Sequence, residues 1–292
     1  EDLAFTAAGD AIVLGVPGGL IQVDADGKIQ YRDTSGDALV APLGVAFDRK
    51  GVLWVADSKG PALRRVAADG AVTTAATVDL DGTALLAPNY VAIDRQDRVL
   101  FTDPCIGRVM RYDPKNDMVD AGVDFIPKIE GGPNGVALDP SGAWLYVLTE
   151  NTALLCAAGK EKPGLEDEVA GLFRVAIKDG ELGPRETVQT SIGLFGDGMA
   201  FDVAGNLYVV GDKAANFKLS ESFIAVLRAG ENTLVPFVST TDRIIANVAF
   251  GKGAFGETTL YAALLAVPPF TTAAMRGLVK VEVGVAGAPL LP

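Results

Sequence analysis

The sequence predicts an all-β fold, a six-bladed β-propeller with four-stranded antiparallel blades around a central channel. Three observations predict it: a recurring pentapeptide, a strand-rich segment behind each copy, and almost no helical periodicity. The pentapeptide "GVALD" at 135–139 returns as "GVAFD" at 44–48, "YVAID" at 90–94, "GMAFD" at 198–202 and "NVAFG" at 247–251, with "DLAFT" at 2–6 a weaker sixth copy. Each copy reads as the first strand of a blade.

Second strands follow as "AIVLGV", "VLWVAD", "RVLFTD", "AWLYVLTE", "NLYVVGD" and "TTLYAALL", and third strands as "GRVMRYD", "GLFRVAIKDG" and "GLVKVEVG". Their Val, Leu, Phe and Tyr content, cut by Asp-Gly and Lys-Gly turns, is that of short packed strands. The segment "GKEKPGLEDEVAG" is the one candidate helix, and its proline and glycines make it a loop. It falls in an insertion at 151–170, between the second and third strands of the fourth blade. One domain, 1–292, is expected, with blades near 1–40, 41–86, 87–131, 132–191, 192–243 and 244–292.

Composition narrows the function. The 292 residues carry a net charge of -12, which repels phosphate backbones and anionic lipid, so neither nucleic acid nor a membrane is an expected partner. No apolar stretch approaches the roughly 20 residues of a membrane span. The first residue is Glu1 rather than Met, so a targeting segment would lie upstream. Localisation stays open, with a periplasmic or secreted location expected if a leader has been removed. Nothing in the sequence fixes the oligomeric state. Cys105 and Cys156 are too few for a disulfide scaffold or a thiolate metal site, and are either a pair or two free thiols. The chain has no histidine, which excludes Ser-His-Asp and Cys-His catalysis and the usual zinc and non-haem iron sites.

The repeat also supplies a register. Two places before the Val, Leu or Met of each copy stand Glu1, Leu43, Asn89, Asn134, Asp197 and Ala246. First strands line a propeller's channel, so these residues ring its entrance. Four of them carry side-chain oxygen. Asn134-Gly135 and Asp197-Gly198 are also common turn dipeptides, which gives a plainer account of both. That account does not cover Asn89 or Glu1. Four converging oxygens would need a cation between them, and hard oxygen ligands select Ca2+ first, with Mg2+ or Mn2+ as alternatives. Such an ion leaves places for water and substrate and polarises a carbonyl or phosphoryl oxygen, with Asp197 as base or nucleophile. An ion that only ties blades together is the rival expectation.

These residues resemble the family of senescence marker protein (regucalcin), gluconolactonase and luciferin-regenerating enzyme, which also includes diisopropyl fluorophosphatase. The likeness covers essentially the whole chain. It rests on Pro133-Asn134-Gly135, on Asp197-Gly198, on Asn89 with "FTDP" at 101–104, and on Glu1 ahead of Leu3, Ala4 and Phe5. The resemblance implies that Glu1, Asn134 and Asp197 bind a divalent metal, that Asn89 joins the metal or substrate shell, and that Asp197 is the base or nucleophile. Tyr90 departs from the family, whose sugar-lactone hydrolases place Asp there and an Arg just before the Asn.

Loops at the ends of the second strands frame the expected mouth. Asn89, Tyr90, Phe195, Phe217, Phe270 and Met275 are therefore the expected substrate-binding residues, and their aromatic content suits a ligand less polar than a sugar. Asp103 and Glu150 are candidate partners behind the ligands, and Lys213 and Arg276 candidates for orienting an acidic product. The expected activity is metal-dependent opening of a lactone or related cyclic ester. Phosphotriester hydrolysis and a non-catalytic calcium- or small-molecule-binding propeller are the alternatives.

Overall fold

The computed structural model describes residues 2–153, 156, 169–215, 218–265 and 277–289. Antiparallel meanders follow one another along the chain. The first sheet is β1 (Leu3–Phe5), β2 (Ala11–Val16), β3 (Gly19–Asp24) and β4 (Ile29–Arg32), each paired with the next. A short β5 (Ser35–Gly36) precedes β6 (Pro42–Phe47), β7 (Leu53–Asp57), β8 (Ala62–Val66) and β9 (Ala71–Ala76), and pairs with β9 in parallel. The third sheet is β10 (Val91–Ile93), β11 (Val99–Asp103), β12 (Arg108–Asp113) and β13 (Met118–Asp124).

Two more meanders share one eight-stranded sheet. They are β14 (Gly132–Leu138), β15 (Trp144–Glu150), β16 (Ala170–Lys178) and β17 (Glu181–Gly193), then β18 (Phe195–Phe201), β19 (Leu207–Ala215), β20 (Lys218–Leu227) and β21 (Leu234–Thr240). The last sheet is β22 (Ile244–Phe250), β23 (Thr259–Leu265) and β24 (Gly277–Glu282). The molecule is an all-β propeller. Six separate four-stranded blades are not what forms, because the described strands make five sheets of four, five, four, eight and three strands. Glu150 of β15 pairs with Phe195 of β18 and joins two meanders, and β5 adds a strand to another. Among the described residues, helix is limited to one turn, α1 (Pro127–Glu130), and a 3-10 turn at Gly253–Phe255. Most of the expected insertion at 151–170 lies outside the described residues.

The Asp that ends four copies of the repeat explains the first turn of those meanders. Asp48 Oδ1 accepts the N–H groups of Lys50 and Val52, both at 2.9 Å, so one carboxylate closes the turn into β7. Asp94 does the same for Gln96 and Arg98, and Asp202 for Ala204 and Asn206. These are Asx turns, in which a short side chain replaces a backbone acceptor. Between sheets, successive side chains of each second strand face opposite neighbours. Leu53 and Val55 pack with Val13 and Leu20 of the first sheet, and Trp54 and Ala56 with Val91, Phe101 and Tyr112 of the third. Each such leucine, valine or phenylalanine contributes roughly 1.5–3 kcal/mol through burial. Packing on both faces holds the inner strands around the channel.

Candidate functional site

Asn134 lies inside β14 and Asp197 inside β18, so neither is turn chemistry. Gly135 and Gly198, which follow them, do not adopt positive φ. They are glycines because inner strands crowd together around the axis. A Cβ on Gly135 would lie 1.9 Å from the Asp197 carbonyl oxygen, and one on Gly198 would lie 1.7 Å from Asn247 Oδ1. Gly44, at the same station of β6, would meet the Asn89 carbonyl at 2.4 Å. The ladders carry register shifts at these points, between Pro133 and Val136, Gly196 and Met199, and Pro42 and Val45. A bulge inserts an unpaired residue and re-aims its side chain, which is how the strand presents Asn134 and Asp197.

The two side chains meet. Asn134 Nδ2 donates to Asp197 Oδ1 at 3.3 Å, with Asn134 1% and Asp197 6% exposed. Asn134 Oδ1 is buried and receives no hydrogen bond. Asn89 stands at the same station just ahead of β10, 3% exposed, its N–H donating to the Thr102 carbonyl at 2.9 Å. Leu43 and Ala246, the remaining described members of the ring, offer no donor atom, and Glu1 lies outside the described residues.

A layer that the sequence reading missed lies one residue further in. Tyr90, expected at the substrate mouth, instead sends its phenol O–H to Asn247 Oδ1 at 2.9 Å. Asn247 Nδ2 in turn donates to Asp2, whose carboxylate also accepts the Leu3 N–H at 2.7 Å and the Val45 N–H at 2.8 Å. Burial pushes the Asp2 carboxyl up to about 7 against those donors. Burial, then the charges of Asp2 and Asp197, holds the Tyr90 phenol well above its usual range. Asp197 adjoins this layer through Gly198, which packs against Asn247. Below it the channel widens into a cavity of about 830 Å³, lined by Phe5, Phe47, Ile93, Leu138 and Phe201 among others. Its lining reaches Asp2, Tyr90 and Asn247 but not Asn89, Asn134 or Asp197, so the layer is a floor between the two. Shifting the repeat register by one residue, to Asp2, Gly44, Tyr90, Gly135, Gly198 and Asn247, was the available signal.

Other expectations divide. Phe195 heads β18, half-buried, with Glu150 and Asp212 as its strand partners. Phe217, Phe270, Met275 and Arg276 lie outside the described residues. Asp103 is a loop anchor: its carboxylate accepts N–H groups from Leu86, Ala87, Cys105 and Ile106. Lys213 is an exposed partner of Glu221 at 3.0 Å and does not point to the site. Glu150 is buried at the mouth end of β15, paired in register with Gly132 two residues before Asn134. Cys105 and Cys156 form a disulfide, Cα–Cα 5.2 Å. Asp212, which the sequence reading did not single out, is buried, and burial raises its carboxyl to about 7 against a hydrogen bond from the Ser222 hydroxyl.

A metal would meet amides and a carboxylate here. No three His, Cys, Asp or Glu side chains converge to hold one among the described residues. The donor set at the mouth is instead Asn134 and Asp197, with Asn89 at the same station. An amide oxygen left buried without a donor costs about 1–3 kcal/mol, and a hard cation is one partner that satisfies it. The residues fit such an ion.

Comparison with solved structures bears on the fold. A gluconolactonase from Xanthomonas campestris superimposes with a TM-score of 0.67 at 20% identity, over 90% of this chain and 82% of that one. A luciferin-regenerating enzyme does so with a TM-score of 0.68 at 14% identity, over 100% and 95%. The chain shares their propeller fold. Among curated proteins, strictosidine synthase-like 3 of Arabidopsis thaliana is 30% identical over 121 residues, which is 35% of this chain and 30% of that protein's length. No family model matches the sequence. No described helix is long and apolar enough to cross a membrane.

Proposed function

We propose that this chain is a divalent-cation-dependent hydrolase that opens a lactone or related cyclic ester less polar than a sugar lactone. Counting the eight-stranded sheet as two blades joined at Glu150 and Phe195, we read the propeller as six-bladed and as one domain. Asn89, Asn134 and Asp197 would hold the ion, together with Glu1 outside the described residues. The observation that carries the reading is the Asn134–Asp197 pair: a buried amide oxygen without a donor beside a buried carboxylate, on the neighbouring inner strands β14 and β18. The fold shared with gluconolactonase and luciferin-regenerating enzyme supports it.

When bound, calcium supplies Lewis-acid polarisation of the carbonyl oxygen and offsets the Asp197 charge. The chain's own residues do the rest. Asn134 Nδ2 holds Asp197 Oδ1 in place. Asp197 takes a proton from water as that water attacks the acyl carbon, and the ring oxygen receives the proton as the C–O bond breaks. The Tyr90–Asn247–Asp2 layer separates these residues from the cavity beneath. Phe195 gives the mouth an apolar edge that favours an aliphatic over a polyhydroxylated substrate.

The test is calcium titration by calorimetry on chelator-treated protein, with turnover assayed on a lactone panel and on a phosphotriester. One bound ion, lactone turnover that follows it, and a loss of roughly 10²–10⁴ in rate for Asp197→Asn at calcium concentrations that saturate the variant are the expected results. Turnover confined to the phosphotriester moves the substrate class. Full activity in Asp197→Asn overturns the mechanism.

A further inference from the structure

The chain has a single pair of cysteines, and their disulfide spans the third sheet and the meander that carries Asn134. Each half reaches one of the candidate ligands. On one side, Asp103 Oδ1 accepts the N–H groups of Cys105 at 3.0 Å and Ile106 at 3.1 Å. Its Oδ2 accepts those of Leu86 at 2.7 Å and Ala87 at 3.0 Å. Leu86 and Ala87 lead directly into Pro88 and Asn89, so one carboxylate ties the Cys105 loop to the approach of Asn89. On the other side, the Cys156 N–H donates to the Thr152 carbonyl at 3.0 Å. Thr152 and Pro104 flank the start of β14: a Cβ on Gly132 would lie 2.4 Å from the Pro104 carbonyl oxygen and 2.4 Å from Thr152 Cγ2. Asn134 is two residues beyond that gap. The cystine thus closes a clamp whose one jaw carries Asn89 and whose grip holds the strand of Asn134.

The second sheet provides the same device without a cystine. Asp57 accepts the N–H groups of Val40 at 3.0 Å and Ala41 at 2.7 Å, leading into β6, and of Gly60 at 3.2 Å in its own loop. That sheet contributes Leu43 to the ring and no ligand oxygen. A covalent clamp stands where two candidate donors must keep their spacing and is missing where none does.

We propose that the Cys105–Cys156 disulfide is a positioning element that fixes Asn89 against Asn134, so that the site takes its cation at full affinity only in the oxidised protein. This rests on the cation reading above. It places the activity in an oxidising compartment, where such a bond persists. Reduction by a dithiol delivers two electrons and two protons, giving two cysteine thiols and the oxidised cyclic disulfide of the reagent.

The experiment compares oxidised wild type, dithiol-reduced wild type and the Cys105→Ala/Cys156→Ala double variant. Cys156→Ala alone serves if the double variant does not fold. Two quantities are read well below each protein's unfolding midpoint: the calcium dissociation constant, and peptide-level hydrogen exchange. Loss of the clamp is expected to weaken calcium roughly 10- to 100-fold, the range for removing partners that orient metal ligands. Exchange is expected to quicken in Leu86–Tyr90 and Gly132–Gly135 while Val40–Pro42 stays unchanged. A disulfide that only adds global stability would lower the midpoint with affinity and local exchange intact, and that outcome overturns the proposal. If oxidised wild type binds no calcium, the cation reading fails by itself. Exchange then judges the clamp, upheld by selective loosening at the two segments and overturned by its absence.

Discussion

Tyr90 and Asn247, 157 residues apart in sequence, are joined across the channel by a hydrogen bond of 2.9 Å from the phenol to the amide oxygen. Asn247 Oδ1 also accepts the Val248 N–H at 2.7 Å, so the bond adds to an acceptor that already has one partner. Tyr90→Phe should therefore cost only about 1 kcal/mol, the net worth of a buried neutral hydrogen bond. Urea denaturation at constant m-value measures it. No change at all would mean that water from the cavity takes the place of the phenol oxygen.

Gly135 gives a sharper test of how the site is built. Were Asn134-Gly135 a turn, alanine at 135 would meet a φ penalty alone, yet its φ is not in the left-handed region. The obstacle is the Asp197 carbonyl oxygen, 1.9 Å from where a Cβ would stand. Backbone cannot swing aside as a side chain can, so Gly135→Ala should cost about 3 kcal/mol or more, the upper range for overpacking. Because the strain falls on Asp197, calcium affinity should fall with it. A variant of unchanged midpoint in denaturant would mean that the inner strands pack less closely than described.

These two cases mark what the sequence made legible. The repeat announces itself because its signals are local: period-two strands and an Asp such as Asp48 that closes the next turn. The station of Asn89, Asn134 and Asp197 is legible too, since all share one place in the repeat. Asp2 and Asn247 escaped notice, and Tyr90 was assigned to the substrate mouth, because half of their station is glycine and the three polar residues there are of three different types. Asp103 resembled a site carboxylate, but backbone donors at 86, 87, 105 and 106 that consume it can be counted only once the loops are placed. The joining of two meanders through Glu150 and Phe195 is a single strand pairing with no sequence signature.

Asp212 predicts a pH dependence. Burial raises its carboxyl from 3.8 to about 7, so between those values the folded protein holds a proton that the unfolded chain has released. Stability attributable to Asp212 is then highest below pH 4 and falls as pH rises toward 7, by at most roughly 4 kcal/mol at 1.36 kcal/mol per pH unit. Asp2 slopes the same way. Asp212→Asn should remove about half of the shared decline between pH 4 and 7, and urea midpoints across that range read it directly. A variant with the wild-type slope would mean that Asp212 stays ionised, held by a cation or by a donor that burial does not reveal.

Replacing both cysteines also carries a stability cost separate from any effect on the site. Cross-linking residues 51 apart removes loop-closure entropy from the unfolded chain worth about 4 kcal/mol in the chain-entropy model. The double variant should unfold at a markedly lower denaturant midpoint, with a larger m-value because its unfolded chain is less compact. A cost below about 1 kcal/mol would mean that the unfolded state keeps the two loops together without the bond.

Calcium itself should stabilise the fold, and Asn134 separates this effect from ordinary packing. An ion that binds the folded chain alone adds about 2.7 kcal/mol at a hundredfold excess over its dissociation constant. In Asn134→Ala the orphaned Oδ1 disappears along with its desolvation cost, and what is lost is the weak 3.3 Å contact to Asp197. The chelated variant should therefore lie within about 1 kcal/mol of chelated wild type, since removing an unsatisfied buried acceptor is nearly neutral. With calcium added, only wild type should gain stability. A chelated variant several kcal/mol weaker would show Asn134 to be a packing residue, and an equal calcium gain in both proteins would place the ion on other oxygens.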